Sequence, residues 1–118
     1  MSNVYGIPEI SVTEVAALRE EGGTFALLDV REGMELKLAN LGEGVIWVPL
    51  SKMAAERLES LPEELSDKDQ RIIVFCHTGV RSAQVAAWLQ GEGWNNVVSM
   101  AGGIEAYAQI VDPSVGRY

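Results

Sequence analysis

A single cysteine, Cys76, and a single histidine, His77, are all the thiol and imidazole chemistry in a chain of 118 residues. One cysteine cannot close an internal disulfide, and a free thiol suits a reducing compartment. One cysteine beside one histidine lacks the ligand spacing of a metal site, so no metal and no cofactor is expected. Positive charge is scarce as well: nine Lys and Arg face 17 Asp and Glu, for a net charge of −8. The basic residues are scattered, whereas phosphates are met by grouped cations, so no nucleic-acid partner is expected. No apolar run reaches the roughly 18–20 residues that span a bilayer, so no membrane role is expected. The opening "MSNVYGIPEI" has neither the basic nor the apolar region of a secretory leader. The chain reads as cytoplasmic and soluble. It holds no repeat, low-complexity tract or Pro/Gly/Ser linker, and residues 1–118 read as a single domain.

What is present points to an α/β fold. Apolar residues make up 47% of the chain, enough for a real core. "EIS" reads as a short extended piece. Ser11 with Glu14 three residues on marks a helix start, and Gly22-Gly23 marks its end. "TFALLDV" and "RIIVFC" are near-continuous apolar runs, the pattern of strands covered on both faces. "VIWVPL" and "NVVSM" read as two more strands. A short helical turn is expected around Met34 to Leu38. Longer helices are expected over "SKMAAERLESL", "SAQVAAWLQGEG" and "GGIEAYAQI". Buried strands alternating with helices predict a mainly parallel sheet flanked by helices on both faces. Ligand sites in such sheets lie beyond the carboxyl ends of the strands, where Cys76 falls.

The loop "CHTGVRS" joins a strand to a helix. Gly79 can take a positive φ and let successive N–H groups turn inward as an anion-binding nest. The helix start adds unpaired N–H groups and a positive end, and Arg81 adds a fixed charge. All of these favour an anion, and the Cys76 thiolate is one. Cys76 is therefore expected to be a nucleophile near neutral pH rather than an inert core thiol.

The segment "VFCHTGVRSAQVAAWLQGEGWNNVVSMAGGIEAY" resembles the active-site segment of the rhodanese-like family of persulfide-forming sulfurtransferases. "LLDVREGMELKLANLGEGVIWVPL" resembles that family's upstream signature, and "AGGIEAYAQIVDPSVGRY" its ending. Asn40, Trp47 and an extra residue around Gly42-Glu43-Gly44 depart from the usual pattern. The resemblance implies that Cys76 takes sulfur from a small anionic donor such as thiosulfate and passes it to cyanide, a thiol or a protein. It implies a persulfide held by N–H groups of His77, Thr78, Gly79, Val80, Arg81 and Ser82 and by the Arg81 side chain. Cysteine-x4-arginine is the sulfurtransferase spacing, whereas related phosphatases and arsenate reductases have one residue more. The alternatives are a persulfide carrier or interaction module with little free turnover and, more remotely, a phosphatase or arsenate reductase relative.

The remaining candidates read as support. Asp29 is expected to accept backbone N–H bonds near the loop, with Arg31 paired to an acid such as Glu35. His77 is expected to point outward, as a substrate contact rather than a base. Trp88 and Trp94 read as core residues, and Trp47 as a packing residue placed to wall the pocket. Gly102-Gly103 reads as a tight strand-to-helix turn rather than a phosphate loop.

Overall fold

The structure, a computed structural model, describes residues 3–118. Its elements are β1 (Glu9–Ile10), α1 (Val12–Glu21), β2 (Ala26–Asp29), α2 (Gly33–Leu36), β3 (Val45–Trp47) and α3 (Leu50–Glu56), then β4 (Ile72–Phe75), α4 (Val80–Gly91), β5 (Val97–Met100) and α5 (Gly103–Ile110). The five strands form one parallel sheet in the order β1-β5-β4-β2-β3.

Strands β2 and β4 are buried along their whole length because both faces of the sheet are covered. Alternate residues feed two apolar clusters. Leu28, Ile72 and Val74 meet Met53 of α3 and Val85, Ala86 and Leu89 of α4. Leu27, Ile73 and Phe75 meet Val12 and Val15 of α1 and Ile104 and Tyr107 of α5. The expected sheet flanked by helices on both faces is thus observed.

Local signals place several ends. Ser11 caps α1 by accepting from Glu14 N at 3.1 Å, and Gly22 ends it at φ 72°. Other boundaries differ from expectation. Helix α3 stops at Glu56, because Arg57 takes φ 53° and turns the chain into a 3₁₀ segment over Arg57–Ser60. Helix α4 begins two residues early, at Val80, which puts Arg81 in its first turn. Trp94 is buried, with its Nε1 donating to Leu65 O at 2.8 Å, and Trp88 packs against the same core. Trp47 instead is 46% exposed and donates through Nε1 to Arg31 O at 2.8 Å. It shields the Gly33 backbone rather than filling the core.

The register of β2 against β4 pairs Asp29 with Phe75. The segment after Asp29 and the loop after Phe75 therefore leave the sheet side by side, and this brings Arg31 over Phe75 and Glu35 to Arg81. Among the described residues no helix is long and apolar enough to cross a membrane.

Candidate active site

Cys76 follows β4 directly and is 1% exposed. Its Sγ accepts from Gly79 N at 3.1 Å and from Ser82 N at 3.3 Å. The first donor needs the turn that Gly79 makes at φ 107°. The second lies in the first turn of α4, where N–H groups have no helical partner. Of the loop N–H groups, these two hydrogen-bond the thiol itself.

Ser82 contributes its side chain as well as its N–H. The thiol donates to Ser82 Oγ at 3.5 Å, Ser82 Oγ donates to Gly79 O at 3.1 Å, and it shares a 2.7 Å hydrogen bond with Ser99 Oγ. Both hydroxyls are fully buried. Ser99 comes from β5 and carries no motif that would mark it in the sequence.

Helix α5 holds the other side of the loop. Ile104 N donates to Cys76 O at 2.9 Å and Glu105 N to His77 O at 3.0 Å. This approach is so close that a Cβ at Gly103 would sit 2.3 Å from His77 O. Gly102-Gly103 is thus the expected tight turn, and its function is to let the α5 N-terminus touch the cysteine loop.

The charged residues are arranged differently from expectation. Arg31 pairs with Asp29, not with the Glu35 carboxylate, at 2.9 Å, and both are fully buried. Asp29 also accepts from Arg31 N at 3.0 Å. Arg31 reaches only the backbone carbonyl of Glu35, at 3.3 Å. Burial alone would lower the Arg31 pKa, but hydrogen bonds to Asp29 and Tyr118 outweigh it and raise it.

Arg81 is near enough to Cys76 to feel its charge but makes no hydrogen bond to the sulfur. Both Nη atoms donate to the Glu35 carboxylate at 2.7 Å, a bidentate pair. Glu32 N and Tyr118 OH also donate to Glu35, at 2.8 and 3.1 Å. The Arg81 hydrogen bonds hold the Glu35 carboxyl down at about 2, against its ordinary 4.5.

His77 is half-buried rather than turned outward. Its ring stacks on Tyr118 with centroids 3.9 Å apart and planes at 11°, and its Nε2 lies 4.0 Å from Glu105 Oε1. Thr78 and Val80 are exposed at the rim. Tyr118 belongs to the site, since its OH also accepts from Arg31 Nη1 at 3.1 Å. Among the described residues no cluster of His, Cys, Asp and Glu is placed to hold a metal ion.

A profile of the rhodanese-like domain matches residues 11–110. The chain belongs to the rhodanese-like domain family. A rhodanese-related protein of Thermoplasma volcanium has a solved structure that superposes with a TM-score of 0.70 at 26% identity, covering 86% of this chain and 91% of that one. The rhodanese-like/PpiC domain-containing protein 12, chloroplastic, of Arabidopsis thaliana is 39% identical over 78% of this chain and 30% of its own length. The probable adenylyltransferase/sulfurtransferase MoeZ of Mycobacterium tuberculosis is 31% identical over 92% of this chain and 26% of its own. The putative sulfur carrier protein YrkF of Bacillus subtilis is 30% identical over 86% and 51%. Other relatives are named tRNA uridine(34) hydroxylase, one of them from Xanthomonas axonopodis at 28% identity over 78% of this chain and 37% of its own length. This chain therefore spans between 26% and 51% of the length of these curated relatives.

Proposed function

We propose that this rhodanese-like chain is a sulfurtransferase that carries sulfane sulfur as a persulfide on Cys76. The observation that carries the reading is the pair of N–H groups aimed at Sγ from Gly79 and Ser82. Hydrogen bonds from a turn and a helix start favour negative charge on sulfur, the form that attacks. The thiolate attacks the outer sulfur of the donor, the donor's S–S bond breaks, and the leaving group departs with the electron pair. The anion on the new Cys76 persulfide lies among the N–H groups of His77, Thr78, Gly79, Val80, Arg81 and Ser82. A thiophilic acceptor, cyanide in the test tube or a thiol or protein in the cell, takes the outer sulfur and restores the thiolate.

In this reading Arg81 acts by anchoring the loop to α2 through Glu35. Asp29 and Arg31 support that anchor from beneath, and His77 and Thr78 form the rim that an acceptor meets. The free thiol must cycle through reduced forms, so we read the protein as working in a reducing compartment such as the cytoplasm. The names of MoeZ and YrkF, sulfurtransferase and sulfur carrier, agree with sulfur handling. A carrier for a dedicated partner is the second reading, favoured by the 1% exposure of Cys76, which leaves access to a partner that opens the rim. A phosphatase reading is disfavoured by the short cysteine-x4-arginine loop.

Sulfur transfer to cyanide tests the proposal, with thiosulfate and with an organic persulfide as donors. The wild type turns over with at least one of them. Cys76→Ser keeps its fold and loses about a thousandfold or more of that rate, because a missing nucleophile removes the covalent step. A wild type that loads sulfur on Cys76 yet does not turn over would assign the carrier role.

A further inference from the structure

Three arginines of the site and its flank are each paired with a carboxylate. Arg81 is held bidentately by Glu35, Arg31 by buried Asp29, and Arg117 by Glu105, whose other oxygen lies 4.0 Å from His77 Nε2. Glu35 is not a loosely placed counter-ion. Four hydrogen bonds fix it, two from Arg81 and one each from Glu32 N and Tyr118 OH. The mouth of the site thus carries matched charges on a molecule of net charge −8. Such a mouth gives a dianion no attraction, and the whole-molecule field repels it.

The free surface beside the loop has a different character. A pocket of about 340 Å³ abuts it, lined by Val4, Tyr5, Thr78, Gly79, Val80 and Ala83 among others. Val4 and Val80 are 95% and 69% exposed. The lining holds one carboxylate, Glu9, and no Lys or Arg. It suits the uncharged organic body of a thiol compound.

We propose that Glu35 sets the donor class: by occupying Arg81 it directs the site toward the persulfide of an uncharged organic thiol, R–S–S–H, and away from dianionic thiosulfate. The inference rests on the sulfurtransferase reading of Cys76 and names its donor. The Cys76 thiolate attacks the outer sulfur, the S–S bond of R–S–S–H breaks, and R–S⁻ leaves with the electron pair. The proton stays on the product, Cys76–S–S–H, so charge and electrons balance without an added oxidant or reductant.

The test compares kcat/KM for N-acetylcysteamine persulfide and for thiosulfate, with cyanide as acceptor, in the wild type and in Glu35→Gln. The wild type should prefer the persulfide by about a hundredfold, and Glu35→Gln, which leaves Arg81 unmatched, should shift that ratio toward thiosulfate by about tenfold or more. In the wild type, thiosulfate kcat/KM should rise with added salt, because salt screens repulsion. This arm and the wild-type donor preference need no variant, and either can overturn the proposal if Glu35→Gln does not fold. A wild-type preference for thiosulfate, a thiosulfate rate that falls with salt, or an unchanged ratio in folded Glu35→Gln overturns the proposal while leaving Cys76 as the sulfur carrier. If neither donor loads sulfur onto Cys76, the sulfurtransferase reading itself falls, and this one with it.

Discussion

Cys76 is held by atoms from three separate parts of the chain: Gly79 and Ser82 of its own loop, Ser99 behind Ser82, and the α5 N-terminus against its carbonyl. Gly103 is the residue on which the last of these depends. It sits at φ 63° with no room for a Cβ beside the Cys76 and His77 carbonyls. Gly103→Ala must therefore both strain its own backbone and push the loop away. We expect a stability loss of about 3 kcal/mol in urea unfolding, with slowed alkylation or transfer at Cys76 as the loop shifts. A Gly103→Ala protein of wild-type stability and rate would show that this close approach is dispensable. The role of Gly103 follows the sequence reading of a tight turn, but the reason for the tightness does not. No local pattern says that a turn at residues 102 and 103 must touch residues 76 and 77.

At the scale of elements, the cysteine loop is a strand-to-helix connection whose length sets where the α4 N–H groups fall. Inserting a glycine between Gly79 and Val80 should carry Ser82 N beyond hydrogen-bond reach of Sγ, from its present 3.3 Å. Sulfur transfer should then fall steeply, and the affinity for phosphate, measured by calorimetry, should rise as the nest widens. Undiminished transfer would mean that loop length does not set the chemistry. The strand, the glycine turn and the helix of this loop were all legible from apolar runs and from Gly79, because these are local signals. The same holds for the Ser11 cap and the buried strands β2 and β4. The early end of α3 was not legible, since a positive φ at Arg57 is a choice imposed by the surrounding fold rather than by the residue. The partner of Arg81 was hidden for a related reason. Glu35 lies 46 residues away and reaches Arg81 only because β2 and β4 are neighbours in register. Tyr118, which joins Glu35, Arg31 and His77, was likewise invisible until the tail was seen to fold back.

Taken over the whole molecule, the Glu35–Arg81 pair ties the segment after β2 to the first turn of α4, so it should register in global stability. The sign follows from the direction of the shift. The Glu35 carboxyl is lowered from 4.5 to about 2 by its hydrogen bonds to Arg81. A group lowered on folding adds stability above its unfolded value and loses it as the pH falls toward the folded one. The pair should thus be fully effective above pH 4.5 and fade toward pH 2. Wild type should exceed Glu35→Gln by about 2 kcal/mol near neutral pH, and the two should converge as the solution approaches the lower value. Urea unfolding of both proteins across that range checks this. A constant difference at every pH would assign the stabilisation to packing rather than to charge.

The most direct test of the account is the mass of the protein after exposure to a sulfane-sulfur donor. Peptide mass spectrometry should find a gain of about 32 Da, one sulfur atom, on the peptide that holds Cys76. That gain should vanish when cyanide or a thiol is added, and Cys76→Ser should never show it. No added sulfur on Cys76 with either thiosulfate or an organic persulfide, in a protein whose thiol still reacts with an alkylating agent, would contradict the persulfide mechanism outright.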